Sequence, residues 1–479
     1  MRDTNGVRLM AVALAILVLP GSILPLEPAG LPLAPAGADE GWREAAREVH
    51  RAAGEKNPGR LADAVYALRN FDGPEAAQLL LGVVYRADAH DVVLDAAGDA
   101  LASFQSEEAT GFFVKEAARA KGDRRFALLE ALGRIPTAGA EKALLEHAED
   151  PEPMVRTAAV RSLADRKKPA VAARVALERA ALDPDSRVRS AAIGGLRARA
   201  SLESGLPLLD RLVHERGRLF GDAWRALQRV AGENLPPDPD RWADWWRTQP
   251  GEEDFRYSEV PGPVPPLSVS LSGLGSWSRR VVFVLDLSEG MADKPGYRLE
   301  DILPTDVRAA GGKELDEWKK VESRLDHARM HLVRAIRKLP DDAAFDMVFG
   351  AESSTSLFGG LEPATEANRE RAVSRLAGLN AKGRQDYLEL MTLALSGKAG
   401  RDPLSPEAFR DGPDTVVYVG TALPSFGAED DAGRIVSRIR RWNRVRQVSF
   451  LGLGVGNHGR GLLGDLATLP PVGATAAIP

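Results

Sequence analysis

The 479-residue sequence predicts a multidomain protein in which an all-α solenoid of helical repeats precedes an α/β doubly wound domain. Three observations predict this fold. A motif recurs about every 32 residues within 39–232, and short apolar runs alternate with helical segments within 279–479. Residues 233–278, rich in Pro and Gly, separate the two regions. The chain is too long for one hydrophobic core, so several domains are expected.

The first 38 residues have the pattern of a secretory signal peptide. Arg2 and Arg8 precede the apolar run 9–19, which Pro20 ends, and the small residues 36–38 resemble a cleavage site. The run of 11 apolar residues is shorter than the roughly 20 that span a bilayer. We therefore expect cleavage and an extracytoplasmic mature protein, periplasmic, envelope-associated or secreted. An uncleaved N-terminal membrane anchor is the alternative.

The repeat is clearest where "EDPEPMVRTAAVRSL" (149–163) is compared with "LDPDSRVRSAAIGGL" (182–196). Asp-Pro favours the start of a helix, and the Val-Arg that follows is expected to turn an apolar side chain inward and a charge outward. One leucine position continues the series through Leu68, Leu101, Leu132, Leu163, Leu196 and Leu227. Helix pairs of this kind cannot bury their apolar faces alone, so stacking supplies the core.

The pattern D-x-x-x-V-R-x-A-A resembles the HEAT repeats of the short bacterial type. The resemblance is strong over 150–196 and weaker in the flanking repeats. It implies about six helix pairs and a protein-binding architecture.

A tryptophan-containing helix is predicted just after the repeats. Pro236 and Pro237 end the last repeat, and Trp242, Trp245 and Trp246 then share one helix face. We expect this face to cap the open core of the solenoid. The alternative is an exposed face that binds a partner or a sugar.

The region 279–479 predicts a parallel sheet covered by helices. Its apolar runs "VVFVL", "FDMVF", "TVVYV" and "VSFLGLGV" are separated by helical segments. Ligands of such sheets bind at the carboxyl ends of the strands.

Several stretches in this order resemble the von Willebrand factor type A family: "VVFVLDLSEGM", "FDMVFG", "GLNAKGRQDYLELMTLAL", "DTVVYVGTALPSFG" and "LLGDLATL". Many members of that family carry a metal-ion-dependent adhesion site. The resemblance places Asp286, Ser288 and Thr421 at ligand positions of this site. Gly290 replaces a serine, and Arg384 or Gln385, depending on a one-residue alignment choice, replaces a threonine. Thr421 itself stands where the family has an aspartate.

The site is therefore predicted to be degenerate. Magnesium prefers an octahedral oxygen shell with one or two carboxylates, and here one carboxylate remains. We expect no cofactor, and Mg²⁺ or Mn²⁺ bound at a weak site is the alternative. Asp286 is then expected to cap the following helix or to pair with Arg384.

Two further features lie near this site. Residues 293–322 form a long connection, for which a lid or partner-contacting surface and plain disorder are both open. His327 and His331 have the spacing of two zinc ligands on a helix, but the Glu of the H-E-x-x-H pattern is missing. We expect them to be surface histidines.

Composition narrows the function. The sequence has no cysteine, which excludes disulfides and thiolate chemistry, and its net charge of −5 does not suggest a nucleic-acid binder. No catalytic motif is present. We predict an exported, non-catalytic protein–protein interaction or scaffold protein with unidentified protein partners. The alternatives are a metal-dependent adhesion protein and an accessory subunit of an envelope enzyme complex.

Overall fold

The computed structural model describes residues 40–55, 57–84, 90–167, 170–296, 303–456 and 460–478. The predicted signal peptide, residues 1–38, lies outside the described residues. None of the described helices combines the length and the apolar character needed to cross a membrane.

The N-terminal region is a helical solenoid, as predicted. Its described residues form twelve helices that follow one another as six pairs. They are α1 (Glu40–Ala53), α2 (Pro58–Ala67), α3 (Pro74–Val84), α4 (Asp91–Ala102), α5 (Glu107–Arg119), α6 (Gly122–Arg134), α7 (Ala138–His147), α8 (Pro153–Asp165), α9 (Val171–Ala180), α10 (Ser186–Arg199), α11 (Gly205–His214) and α12 (Arg218–Ala231). The second helices of successive pairs stack on each other, from α2 on α4 to α10 on α12.

The recurring leucines form the centre of this stack. All six are buried, with at most 1% of each side chain exposed. Burying a leucine completely contributes roughly 1.5–3 kcal/mol relative to leaving it exposed. The repeat therefore places one buried leucine in each helix pair, and these leucines stabilise the packing of neighbouring helix pairs.

The arginine of each Val-Arg motif does not point outward into solvent as predicted, because it bridges neighbouring repeats. Arg156 donates from Nε and Nη2 to the Asp183 carboxylate of the next repeat, at 2.8 and 3.0 Å. Its Nη1 donates to the carbonyls of Asp150 and Pro151 in its own repeat. Arg189 repeats this arrangement with Glu215. The motif thus forms half-buried ion pairs between neighbouring repeats. We call the pairs Arg156–Asp183 and Arg189–Glu215 the inter-repeat ladder.

The tryptophan helix α13 (Pro239–Trp246) closes the end of the solenoid. Trp242 and Trp246 are buried, and Gly205 of α11 lies so close to the Trp246 ring that a Cβ there would be 2.2 Å from it. These two side chains belong to the core and are not an exposed binding face. Trp245 is half-buried between the two.

The Pro- and Gly-rich segment packs against both regions, its hairpin against the sheet domain and Trp277 against the solenoid. It contains the hairpin β1 (Val269–Leu271) and β2 (Leu274–Ser276), followed by Trp277. The Trp277 ring packs edge-on against Phe220 and Trp224, with centroids 5.5 and 5.7 Å away. The joint is thus anchored by aromatic packing.

The C-terminal region is an α/β sheet domain. Its strands are β3 (Arg280–Asp286), β4 (Ala344–Gly350), β5 (Ser354–Ser356), β6 (Glu362–Pro363), β7 (Thr415–Gly420), β8 (Ser449–Val455) and β9 (Ala474–Ile478). The order is β5-β4-β3-β7-β8-β9, and β6 also pairs with β4. Neighbours among β3, β4, β7, β8 and β9 are parallel, whereas β5 and β6 are antiparallel to β4. The predicted doubly wound sheet is confirmed, with antiparallel additions at one side.

Helices cover both faces of the sheet. They are α14 (Thr305–Ala310), α15 (Gly312–Trp318), α16 (Arg324–Arg337), α17 (Glu366–Ala377), α18 (Tyr387–Ser396), α19 (Pro406–Asp411), α20 (Ala432–Arg446) and α21 (Arg460–Thr468). One core contains residues of α16 and α17, and the other contains residues of α18, α20 and α21. Strand β3 contributes alternate side chains to the two cores, because successive residues of a strand point to opposite faces.

Helix α20 joins the sheet domain to the solenoid. It packs against α4 and α8, and its Arg444 pairs with Glu130 and with Asp165. Arg218 of α12 donates to the backbone carbonyl of Gln447 at 3.1 Å. The sheet domain therefore rests on the second helices of the solenoid and leaves its first helices uncovered by this contact.

Candidate functional site

The predicted site lies where the strand order of the sheet reverses. The chain runs from β3 to β4 on one side and later returns to β7 on the other. Asp286 ends β3 and Thr421 follows β7, so both lie at the carboxyl edge between these strands. This switch point is where open α/β sheets bind ligands.

The Asp286 carboxylate is buried and bound on both oxygens by groups of the protein. Its Oδ1 accepts from the Ser288 amide at 2.7 Å. Its Oδ2 accepts from the Thr421 amide at 2.9 Å and from the Thr421 hydroxyl at 2.6 Å, with the Tyr418 hydroxyl at 3.4 Å. The predicted residues Asp286, Ser288 and Thr421 do come together, but Ser288 and Thr421 act on the carboxylate as donors.

These residues fit a divalent cation poorly. A carboxylate oxygen offers about two lone-pair sites, and Thr421 takes both sites of Oδ2, whereas Oδ1 accepts from the Ser288 amide alone. A cation that left Thr421 in place could use only the second site of Oδ1, and it would lack a second carboxylate. Among the described residues, no group of three or more His, Asp or Glu side chains could hold a metal ion. Gly290 adds no ligand, although a Cβ there would make only ordinary contact with Thr421.

Arg384 does not pair with Asp286. Its side chain is exposed, lies over the Phe426 ring at 4.5 Å and approaches Glu352 at 3.6 Å. The helix-capping alternative for Asp286 is not what the structure shows either. The 3-10 turn Glu289–Ala292 that follows has Ser288 at its N-cap position and no side-chain cap, and α16 is capped by Ser323. Asp286 instead fixes the turn after β3 and the end of β7.

Gln385 is the buried residue at the threonine position of the loop. Its backbone carbonyl accepts from the amides of Ser425 and Phe426, which ties this loop to the one after β7. Neither atom of its side-chain amide has a hydrogen-bond partner among the described residues, and the same holds for the hydroxyl of Tyr387. Of the two residues predicted for the threonine position, Arg384 is thus exposed and Gln385 is buried.

His327 and His331 are not surface histidines. They are 0% and 4% exposed, and their Nε2 atoms are 2.9 Å apart. The buried ring of Trp318, from the connection between β3 and α16, packs edge-on against both imidazoles. Burial lowers the pKa of His327 to about 3 and that of His331 to about 4, so both are neutral near neutral pH.

Part of the long connection is ordered by this contact. The described residues 303–322 contain α14 and α15, and Glu314 pairs with Arg334 of α16 at 2.9 Å. At the base of the connection, Arg324 donates to the Asp293 carboxylate and to the Gly290 carbonyl. The helices of 303–322 contradict plain disorder for that stretch, while residues 297–302 lie outside the described residues.

Comparison with known proteins identifies part of the solenoid. Residues 112–197 match the sequence profile of the HEAT repeats. A comparison with curated proteins gives no match.

Solved structures that are similar to parts of the chain at low identity include the following three. A von Willebrand factor type A protein from Catenulispora acidiphila is 16% identical, with 43% of this chain and 40% of that chain covered and a TM-score of 0.28. The conserved hypothetical protein BatB from Bacteroides thetaiotaomicron is 15% identical, with 41% and 89% covered and a TM-score of 0.27. Human deoxyhypusine hydroxylase is 15% identical, with 39% and 84% covered and a TM-score of 0.21. This chain thus spans less than half the length of the Catenulispora protein.

The chain therefore contains HEAT repeats within a helical solenoid, followed by an α/β sheet domain whose structural neighbours include von Willebrand factor type A proteins.

Proposed function

We propose that the protein is an exported, non-catalytic scaffold that binds a protein partner on the outer face of its solenoid. The signal-like N-terminus supports export, and the absence of catalytic motifs from the sequence supports a non-catalytic role. HEAT repeats stack into extended surfaces of the kind that bind other macromolecules.

The single observation that carries the proposal is a set of exposed apolar side chains on α9, on the turn after it, and at the start of α11 with the turn before it. Five of the twelve large apolar side chains that are exposed among the described residues lie between residues 171 and 206. We call them the outer apolar patch: Val171, Val175, Leu182, Leu202 and Leu206. Val171, Leu182 and Val175 are 69%, 59% and 51% exposed. Clustered exposed apolar residues mark interaction sites, whereas single ones are ordinary.

Polar contacts join the two halves of the patch and surround it. Arg174 of α9 pairs with Glu203 at 3.0 Å, and Glu178 accepts from the Ser204 hydroxyl at 3.1 Å. Arg179 pairs with Glu149 beside Leu182. An apolar centre with a charged rim is the usual composition of a protein-binding surface. The patch lies on the first helices, away from the second helices that α20 contacts.

The test uses photo-crosslinking in the organism of origin, with a benzophenone amino acid at position 175 and, as a control, at position 260. Val260 is 93% exposed but lies outside the patch. We expect a discrete crosslinked partner from position 175 that is absent from position 260. The variant Val171→Ser with Leu182→Ser should abolish the crosslink, while Val260→Ser with Val264→Ser should leave it unchanged.

Equal crosslinking from both positions, or a crosslink that survives the patch substitutions, would contradict the proposal. Circular dichroism of both variants shows that the solenoid is folded. A partner that proved to be an enzyme would place the chain in the accessory-subunit alternative, in which the same patch would be the contact.

A further inference from the structure

The buried His327–His331 pair has a role that neither the scaffold proposal nor the sheet edge explains. Both imidazoles lie on α16. Among the described residues, the aromatic ring that packs on both of them is that of Trp318, which belongs to a different segment. Trp318 is fully buried at the end of α15, and its ring centroid is 5.5 Å from that of His327 and 5.1 Å from that of His331. The histidine pair is therefore the surface of α16 against which the segment 303–322 packs through Trp318.

The hydrogen bond between the two rings cannot form when both imidazoles are protonated. At 2.9 Å one Nε2 carries a proton and donates it to the lone pair of the other Nε2. With both rings protonated, two N–H groups would face each other, and two positive charges would be buried in rings that are 0% and 4% exposed. Protonation of both rings therefore opposes the seating of Trp318, because release gives the imidazoles access to water.

The charged groups around the pair do not offset this cost. The nearest is a cation, Arg334, which disfavours protonation of His331 and is itself paired with Glu314 of α15. Strands β1 and β7, which pack on α16, carry no charged residue. Charged residues on the other elements next to α16 have contacts elsewhere: Asp293 with Arg324, Asp326 with Arg329, Glu370 with Arg337, Asp341 with Arg369, Asp316 with Lys319, Glu317 with Lys320, Arg371 over Phe358 and Arg375 over Phe349. The remaining acidic groups on these elements are Glu289, in the 3-10 turn Glu289–Ala292 that follows β3, and Glu366 at the start of α17.

We propose that His327, His331 and Trp318 form a pH-sensitive clasp, which holds the segment 303–322 on α16 while both imidazoles are neutral and releases it as the pH falls. The segment leaves the sheet edge just after Gly290 and returns beside it at Arg324. Release would therefore change the surface next to the Asp286 edge. This device is independent of the outer apolar patch and of any partner bound there.

The direction of the pH dependence follows from the two states. Burial lowers the pKa of both histidines in the closed state to about 3 and 4, whereas released histidines return toward 6.5. The clasp is thus fully stable above the released pKa and loses stability as the pH falls below it toward the closed-state values. Because two protons are taken up on release, the closed-to-open ratio should fall by up to about 100-fold for each pH unit in this window.

A spin label on α15 tests the proposal in the full chain. The chain has no cysteine, so Lys313→Cys gives a single labelling site on the exposed side of α15. We expect the label to be immobile near neutral pH and to become mobile about one to two pH units below the histidine pKa of ~6.5. A label at Ala367→Cys on α17 should stay immobile over the same range, which separates release from acid unfolding of the domain.

Non-titrating variants decide the origin of the response. His331→Gln leaves one titrating group, so the slope of the logarithm of the open-to-closed ratio against pH should fall from about two to about one. His327→Gln with His331→Gln should abolish the slope, and Trp318→Ala should give a mobile label at every pH. A wild-type label that stays immobile at low pH, or one that is released with an unchanged slope in His331→Gln, would overturn the proposal.

Discussion

Both the inter-repeat ladder of the solenoid and the carboxyl edge of the sheet contain buried charged side chains. They differ in the groups that offset this charge. In the ladder, Arg156 and Asp183 neutralise each other across two repeats, and the remaining guanidinium donor meets backbone carbonyls. At the edge, Asp286 has no cationic partner among its hydrogen-bond donors. It accepts from an amide on each oxygen and from the hydroxyls of Thr421 and Tyr418. Buried charge is therefore offset by an opposite charge in the ladder and by internal hydrogen bonds at the edge.

The comparison indicates that the Asp286 edge, like the inter-repeat ladder, serves the stability of the fold. A site kept for a ligand would leave acceptors free, because unsatisfied groups are what bind. Asp286 leaves few, and the groups without partners are the Gln385 amide and the Tyr387 hydroxyl beneath the surface. The predictions below test whether ladder and edge both serve stability, beginning with the contact that joins their two regions.

The largest effect is expected from Trp277→Ala at that contact. This substitution removes the buried ring that packs on Phe220 and Trp224, so it should cost about 3–5 kcal/mol in the free energy of unfolding. Calorimetry should then show the solenoid and the sheet domain unfolding in separate transitions. Val260→Ala in the same segment is exposed and should change nothing; an equal effect of both would show that Trp277 does not couple the regions.

Arg156→Ala should give the next largest loss in the free energy of unfolding. It leaves the Asp183 carboxylate half-buried without its guanidinium and frees two turn carbonyls, for an expected loss of about 2–4 kcal/mol. Urea unfolding measures this loss. The matched control is Arg179→Ala, whose side chain is 73% exposed in its pair with Glu149 and should matter by less than about 0.5 kcal/mol. If the two variants unfold alike, the ladder does not stabilise the solenoid.

Thr421→Val tests the edge in the same way. It removes the hydroxyl that donates to the buried Asp286 carboxylate and should cost about 1.5–3 kcal/mol, since that hydrogen bond has a charged acceptor. Thr421→Ser keeps the hydroxyl and should be close to the wild type in urea unfolding. Stability that is unaffected by the valine would mean that Thr421 serves binding at this edge and not the fold.

The sequence predicted the elements that depend on periodic burial and missed those that depend on contacts between distant residues. The six leucines and the run before Asp286 could be predicted, because apolar spacing alone places them in the core. The partner of Arg156 lies in the next repeat, and a single motif cannot show that an apparently outward charge is bridged. The Val-Arg arginine was accordingly expected to be exposed.

The sequence also missed the histidine pair for a physical reason. Leu325, Ala328 and Leu332 define the apolar face of α16, and the two histidines lie at the margin of that face. Trp318 packs against both of them, and it belongs to a segment with no periodicity of its own. In the same way, the sequence could not show that Gln385 is buried and its neighbour Arg384 exposed, because that depends on how the loop packs.

The central claim is that protein groups satisfy the Asp286 carboxylate at the sheet edge and leave no tight metal site, and Mn²⁺ binding to the full chain tests it most directly. Electron paramagnetic resonance of free Mn²⁺, titrated with the wild type and with Asp286→Asn, counts bound ions. The account predicts no saturable binding up to about millimolar Mn²⁺ and identical titrations for both proteins, because one carboxylate and two hydroxyls are too few oxygen ligands for a tight site. Saturable binding of one ion that is lost in Asp286→Asn would contradict it and would favour the metal-dependent adhesion alternative.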